Sequence, residues 1–182
     1  MEFPDDRLHS GFRIEDILSE DFDTPDLFAF DLMRDPDEDL TEDERRPFIQ
    51  RIATMTMVDR LLLALRGNKE ARTFLIKSPS KMIQDCVLRN PRITPREIAD
   101  AVKERSTSQN VIATICRNRE WVRSYEIAFN LLWHPKTPMA FVVRHIGRLN
   151  AKDLHRLAHS RQVPATTAQQ AKRLLNRRPG AK

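Results

Sequence analysis

One turn occurs twice in this chain. Asn90-Pro91-Arg92-Ile93-Thr94-Pro95 returns as His134-Pro135-Lys136-Thr137-Pro138, with Thr94 and Thr137 separated by 43 positions. The apolar residues leading into the turn return with it: Ile83, Val87 and Leu88 match Ile127, Leu131 and Leu132 at an offset of 44. Beyond it, Thr107 and Val111 match Asn150 and Leu154 at 43. A unit of this length holding several short elements buries its apolar face only against a neighbour, so the period predicts stacked supersecondary units.

Between the turns the local chemistry is helical. Thr41-Glu42-Asp43-Glu44 and Thr94-Pro95-Arg96-Glu97 both fit a capping box, in which the hydroxyl accepts the amide three residues on and the carboxylate returns to the cap amide. Ser78, Thr94 and Thr137 each precede a proline, which suits the first helical position because the amide it lacks would be unsatisfied there. Asn68, Asn118 and Asn150 are further N-caps. Apolar residues recur at helical spacing, as in Ile52, Met55, Val58, Leu62, Leu65 and in Val122, Tyr125, Phe129, Leu132, Trp133, and no segment sustains a period of two. These signals predict helices over 42–66, 69–77, 80–89, 95–105, 108–117, 119–133, 138–148, 151–160 and 164–177.

The quoted residues resemble HEAT-like and armadillo-like arrays, and the repeated proline turn resembles the signature of leucine-rich-repeat-variant proteins. With Gly67-Asn68-Lys69-Glu70-Ala71-Arg72 and Arg117-Asn118-Arg119-Glu120-Trp121, the turns are similar to those of a bacterial family without an assigned activity. The resemblance covers roughly residues 50 to 178 and implies an all-α, right-handed helical-repeat solenoid of short antiparallel helices. Leucine-rich-repeat-variant repeats are shorter, and some of those proteins carry a cysteine cluster for an iron–sulfur centre. Two isolated cysteines, Cys86 and Cys116, cannot supply one, so no cofactor is expected and both are read as buried, reduced thiols.

Charge divides the chain. Residues 1–50 hold 17 Asp and Glu against 5 Lys and Arg, whereas the remainder holds 9 against 26. The expected organisation is an acidic segment over 1–40, partly disordered or a docking peptide, a helical-repeat domain over 41–178 and a basic tail over 179–182. Two apolar clusters stand among the carboxylates, one with Phe12, Ile14, Ile17 and Leu18, the other with Leu27, Phe28, Phe30 and Leu32. Three readings stay open for them: helices capping the core, anchors that dock on a foreign protein, or a mask folded back on the basic body.

In the basic part, Arg117, Arg119 and Arg123 bracket Trp121, and Lys136, Arg144 and Arg148 follow Trp133. These eight residues are the expected partner-binding surface, with Trp121, Trp133 and the nearby Tyr125 as anchors and Arg119, Arg123 and Lys136 setting charge register against an acidic or amphipathic protein. The alternative is a nucleic-acid-binding module in which the acidic segment mimics phosphate and Trp121 stacks on bases. A solvated cationic face around conventional core tryptophans is the third reading.

His155 and His159 stand four apart, a spacing that lets two imidazoles share a metal, but no third ligand follows at ligand spacing, so no metal is expected. Hydrolase, zincin, phosphate-loop and dinucleotide motifs are missing from the sequence, and four glycines leave little for a phosphate-wrapping loop, which points away from an enzyme. The first residues carry neither a basic n-region nor an apolar h-region, and the apolar run Leu61–Leu65 is too short to span a bilayer. The expectation is a cytoplasmic, non-catalytic adaptor with no membrane partner.

Overall fold

A computed structural model describes Leu32 and residues 42–177. Thr41 and its proposed capping box, the docking residues Phe12, Ile14, Ile17, Leu18, Leu27, Phe28 and Phe30, and the tail 179–182 lie outside the described residues. Among the described residues all regular structure is helical, and the chain divides into two compact units, one ending at Ile93 and one beginning at Thr94.

The first unit contains α1 (Glu42–Thr54), α2 (Met57–Arg66), α3 (Lys69–Leu75) and α4 (Lys81–Arg89). The helix expected over 42–66 is therefore two helices. Thr56 leaves helical geometry at ψ 166°, its hydroxyl accepts the Asp59 amide and the Asp59 carboxylate accepts the Thr56 amide, a capping box inside an unbroken run of helical apolar spacing. In α2 the residues Leu61 to Leu65 are all buried, as a helix segment that is apolar all round must be. They form one core with Phe48, Ile52, Leu75, Ile83, Cys86 and Val87, and α3 and α4 both pack on α2. Leu32 belongs to this core at 0% exposure, and its carbonyl accepts the Asn68 amide at 2.9 Å. The one described member of the two acidic-segment clusters thus faces inward.

Gly67 closes α2 at a point where any side chain would collide. A Cβ there would press into the Leu63 carbonyl and lie 2.9 Å from the Ala71 Cβ. The bare carbonyl of Gly67 accepts from the buried guanidinium of Arg72 at 2.9 Å and from the Asn90 side-chain amide at 3.3 Å. Asn68, next in sequence, caps α3 by accepting the Ala71 amide at 2.9 Å.

The second unit contains α5 (Pro95–Lys103), α6 (Gln109–Arg117), α7 (Arg119–Arg123), α8 (Tyr125–Trp133), α9 (Met139–His145), a 3-10 turn (Ile146–Arg148), α10 (Ala151–His159) and α11 (Ala165–Arg177). The expected helix 119–133 is broken at Ser124, which is extended at ψ 125°. The expected helix 138–148 tightens into the 3-10 turn after His145, and Pro138 takes the cap position instead of the first helical one. Asn118 and Asn150 cap α7 and α10, and Thr94 with Glu97 forms the expected box at α5. At α6 the cap is Ser108, not Thr107. The Thr107 hydroxyl instead donates back to the Ala101 carbonyl at 2.6 Å, as the Thr137 hydroxyl does to Leu131 at 2.5 Å. α8 packs on α5, and α11 packs on α9 and α10.

The two proline turns make equivalent hydrogen bonds. Asn90 Oδ1 accepts the Arg92 amide at 2.9 Å, while Asn90 Nδ2 donates to the Ala64 carbonyl at 3.0 Å. His134 Nδ1 accepts the Lys136 amide at 3.2 Å, and its Nε2 meets the Glu104 carbonyl at 3.2 Å. An amide N–H can only donate and a carbonyl can only accept, so this pairing fixes the Nε2–H tautomer of His134. Ile83, Val87 and Leu88, with their counterparts Ile127, Leu131 and Leu132, are all buried.

Candidate functional site

Tyr125, Phe129 and Trp133 follow one another at four-residue spacing and therefore share a face of α8. Tyr125 stacks on Phe129 with centroids 6.3 Å apart, and Phe129 meets Trp133 at 5.8 Å. At the Trp133 end of this row a cleft of about 250 Å³ opens. Its apolar walls are Val102, Phe129 and Trp133, its cationic groups are Lys103, Arg105 and Arg156, and Asn130 and Gln162 complete it.

The three cations differ in what they already hold. Lys103 Nζ lies 2.9 Å from Glu126 and 3.6 Å from Asp100, and the Glu126 hydrogen bond raises its pKa above the usual lysine value. The Arg156 guanidinium sits 5.9 Å from the centre of the Trp133 ring, within cation–π range, and 3.5 Å from Asp153. Arg105 donates to the Gln162 carbonyl, a neutral acceptor, and meets no carboxylate among the described residues. Two buried donors in the cleft residues, Asn130 Nδ2 and Trp133 Nε1, have no hydrogen-bond partner among the described residues. A buried donor left unsatisfied costs about 1–3 kcal/mol. The cleft therefore combines apolar walls, two lining residues with unpaired buried donors, and one cation without a counter-charge among the described residues.

The eight residues expected from sequence to form the binding surface are distributed differently. Arg117, Arg119 and Arg144 are exposed at the end of α6, the start of α7 and in α9. Arg123 is exposed and pairs with Glu120 at 3.3 Å. Lys136 folds its ammonium onto the carbonyls of Ser106 and Thr107, at 3.1 and 2.7 Å. Arg148 likewise clamps the end of α7, donating to the Val122 carbonyl at 3.0 Å and to that of Arg123 at 3.3 Å. These two cations hold the fold as well as carrying charge. Trp121 is half-buried, and Trp133 alone of the eight lines the cleft. Lys103, Arg105, Asn130, Arg156 and Gln162 were not singled out from sequence. The three-residue step from Asn130 to Trp133 was the available signal, and it gained meaning only once α5 and α10 were placed beside α8.

Tyr125 is tied down: its hydroxyl donates to Asp153 at 2.7 Å and accepts the Asn150 amide at 3.4 Å. Burial, and then the Asp153 hydrogen bond, raise its pKa. The rings of His155 and His159 stack 4.2 Å apart, and His159 Nδ1 is within 2.9 Å of the His155 carbonyl. Among the described residues no group of three or more His, Cys, Asp or Glu is placed to hold a metal ion. Both cysteines are free thiols, Cys86 buried as expected and Cys116 only half-buried, and the burial each has pushes the Cys86 pKa to about 11 and that of Cys116 to about 12. No helix among the described residues is long and apolar enough to cross a membrane.

No protein-family model, curated protein or solved structure matches the chain.

Proposed function

We propose that this chain is a non-catalytic helical-repeat adaptor that binds an acidic protein partner through the cationic surface of its second unit, with the acidic first forty residues as a docking or masking element. The observation that carries this reading is that the unit's carboxylates are already engaged. Residues 94–177 hold fifteen Lys and Arg against six Asp and Glu. Asp100 and Glu126 meet Lys103, Glu120 meets Arg123, and Asp153 meets Tyr125 and Arg156. Glu97 closes the α5 cap, and Glu104 accepts from Ser106. The exposed charge of Arg117, Arg119 and Arg144 is left for a counter-charge from outside, and the aromatic row of α8 suits an amphipathic partner. The equivalent bonding of the two proline turns supports the repeat architecture.

Nucleic acid is the second reading, favoured by the same cation excess. A phosphate backbone is held by a series of cations, each releasing counterions, whereas Lys136 and Arg148 are directed onto backbone carbonyls, which favours protein. The test is fluorescence anisotropy with the full chain, using a labelled amphipathic Glu/Leu helix and a labelled single-stranded oligonucleotide. The paired substitution Arg119→Glu with Arg144→Glu is expected to weaken the peptide by about tenfold or more without changing the circular dichroism. Preference for the oligonucleotide with a steep salt dependence would transfer the assignment to nucleic acid, and indifference of both probes to the double reversal would remove the surface altogether.

A further inference from the structure

We infer that the cleft between the end of α5, α8 and α10 is a binding site for a monoanionic carboxylate carried on an aromatic or bulky apolar group. Three independent features set this chemistry. First, Asn130 Nδ2 and Trp133 Nε1, on two residues that line the cleft, are buried donors without partners among the described residues. Both are closed off from solvent as the side chains stand, so a ligand's acceptor satisfies them only if Asn130 and Trp133 turn toward the cleft they line; a buried group that lacks a partner marks either a defect or a place for one. Second, the charge left over is a single one. Lys103 and Arg156 already face carboxylates, whereas among the described residues Arg105 meets only the Gln162 carbonyl. A planar guanidinium fork matches a planar carboxylate, and one uncompensated cation balances a monoanion rather than a phosphate dianion. Third, the walls contributed by Val102, Phe129 and Trp133 are apolar, and about 250 Å³ is small for a ligand site, enough for roughly one side chain and its acid group.

This inference does not rest on the protein-partner reading, because Arg117, Arg119 and Arg144 take no part in the cleft. The acid can be a free small molecule or the C-terminal residue of a peptide chain, and the two are separable. Titration calorimetry on the full chain would use 3-phenylpropionate and its primary amide, and in a second arm a short peptide ending in phenylalanine with either a free or an amidated terminus. At least one acid is expected to bind, with its amide weaker by about tenfold or more. Binding in both arms establishes the chemical class; binding of one acid alone identifies the source.

Two substitutions separate a ligand role from a structural one. Arg105→Gln is expected to weaken the acid by about tenfold or more and leave the amide unchanged. Trp133→Phe keeps an aromatic side chain but removes the N–H together with the second ring of the indole, so it should weaken the acid and, through the lost apolar wall, its amide as well, with unchanged circular dichroism. The double variant Arg119→Glu with Arg144→Glu should bind the acid as the unaltered chain does, even if it loses an acidic peptide. The proposal is overturned if neither acid binds at about 10 mM, if acids and amides bind alike, or if Arg105→Gln changes nothing.

Discussion

His134 does at the second proline turn what Asn90 does at the first. Each follows a helix, each accepts the amide two residues on, and each donates to a carbonyl at or near the end of the helix its own helix packs on. An imidazole and a carboxamide are interchangeable here because both offer one acceptor and one donor on a short, planar group. Only the imidazole titrates, and that difference gives the second unit a pH dependence that the first turn lacks.

Burial lowers the His134 pKa, opposed in part by the Glu104 hydrogen bond and assisted by the charges of Lys136 and Arg105. The unfolded chain therefore takes up the proton before the folded one does. The stability linked to His134 is complete above about pH 6.5, the unperturbed histidine value, and is lost as pH falls below it. His145 shifts in the same direction, through burial and then Arg148 and Arg144, so replacing one histidine removes part of the effect. His134→Asn is expected to fold normally and to show a smaller drop in melting temperature between about pH 7.5 and about pH 5. An unchanged drop would contradict the assignment.

Gly67→Ala should destabilise the first unit by about 1–3 kcal/mol, the usual range for overpacking, because the added methyl meets backbone and not a flexible side-chain end. Gly147 is the control: a Cβ there meets nothing within 4 Å. Gly147→Ala should be neutral or gain about 0.4–1 kcal/mol through the unfolded chain. Urea denaturation of both variants tests the contrast.

Thr56→Ala removes the hydroxyl that starts α2 and should cost about 1 kcal/mol. Its effect in urea should exceed that of Thr73→Ala, whose hydroxyl only bonds back to the Lys69 carbonyl within α3.

Leu32→Ala should cost about 2–5 kcal/mol as a core truncation, since Leu32 is fully buried beside Phe48 and Ile52. Deleting residues 2–26 leaves that anchor in place. On the masking reading the deletion tightens binding of an acidic peptide by about tenfold or more. Unchanged affinity in the same anisotropy assay would leave docking as the role of the segment.

Much of the fold could be read from local chemistry. The Thr94 box and the Asn68, Asn118 and Asn150 caps announce helix starts because a side-chain acceptor must sit beside free amides. Apolar spacing leads Ile52, Leu62, Leu65, Val122 and Leu132 into the core, whereas Val58 and Tyr125 of the same runs are exposed. The breaks at Thr56 and Ser124 were missed because that spacing runs through them, so the 3.6-residue rhythm concealed two changes of direction. The cleft was less legible for a different reason. It joins residues 102–105, 129–133 and 156–162, and nothing local states that these segments meet. Nor could charge alone show that Lys136 and Arg148 would fold onto carbonyls while Arg119 would not.

Each unit also carries its own chemical clock. Cys86 lies in the first and Cys116 in the second, and burial keeps both as unreactive thiols near neutral pH. An alkylating reagent reaches the buried Cys86 sulfur only when the surrounding helices part, so its labelling rate reports how often the first half opens, against the half-buried Cys116 of the second half as an internal comparison.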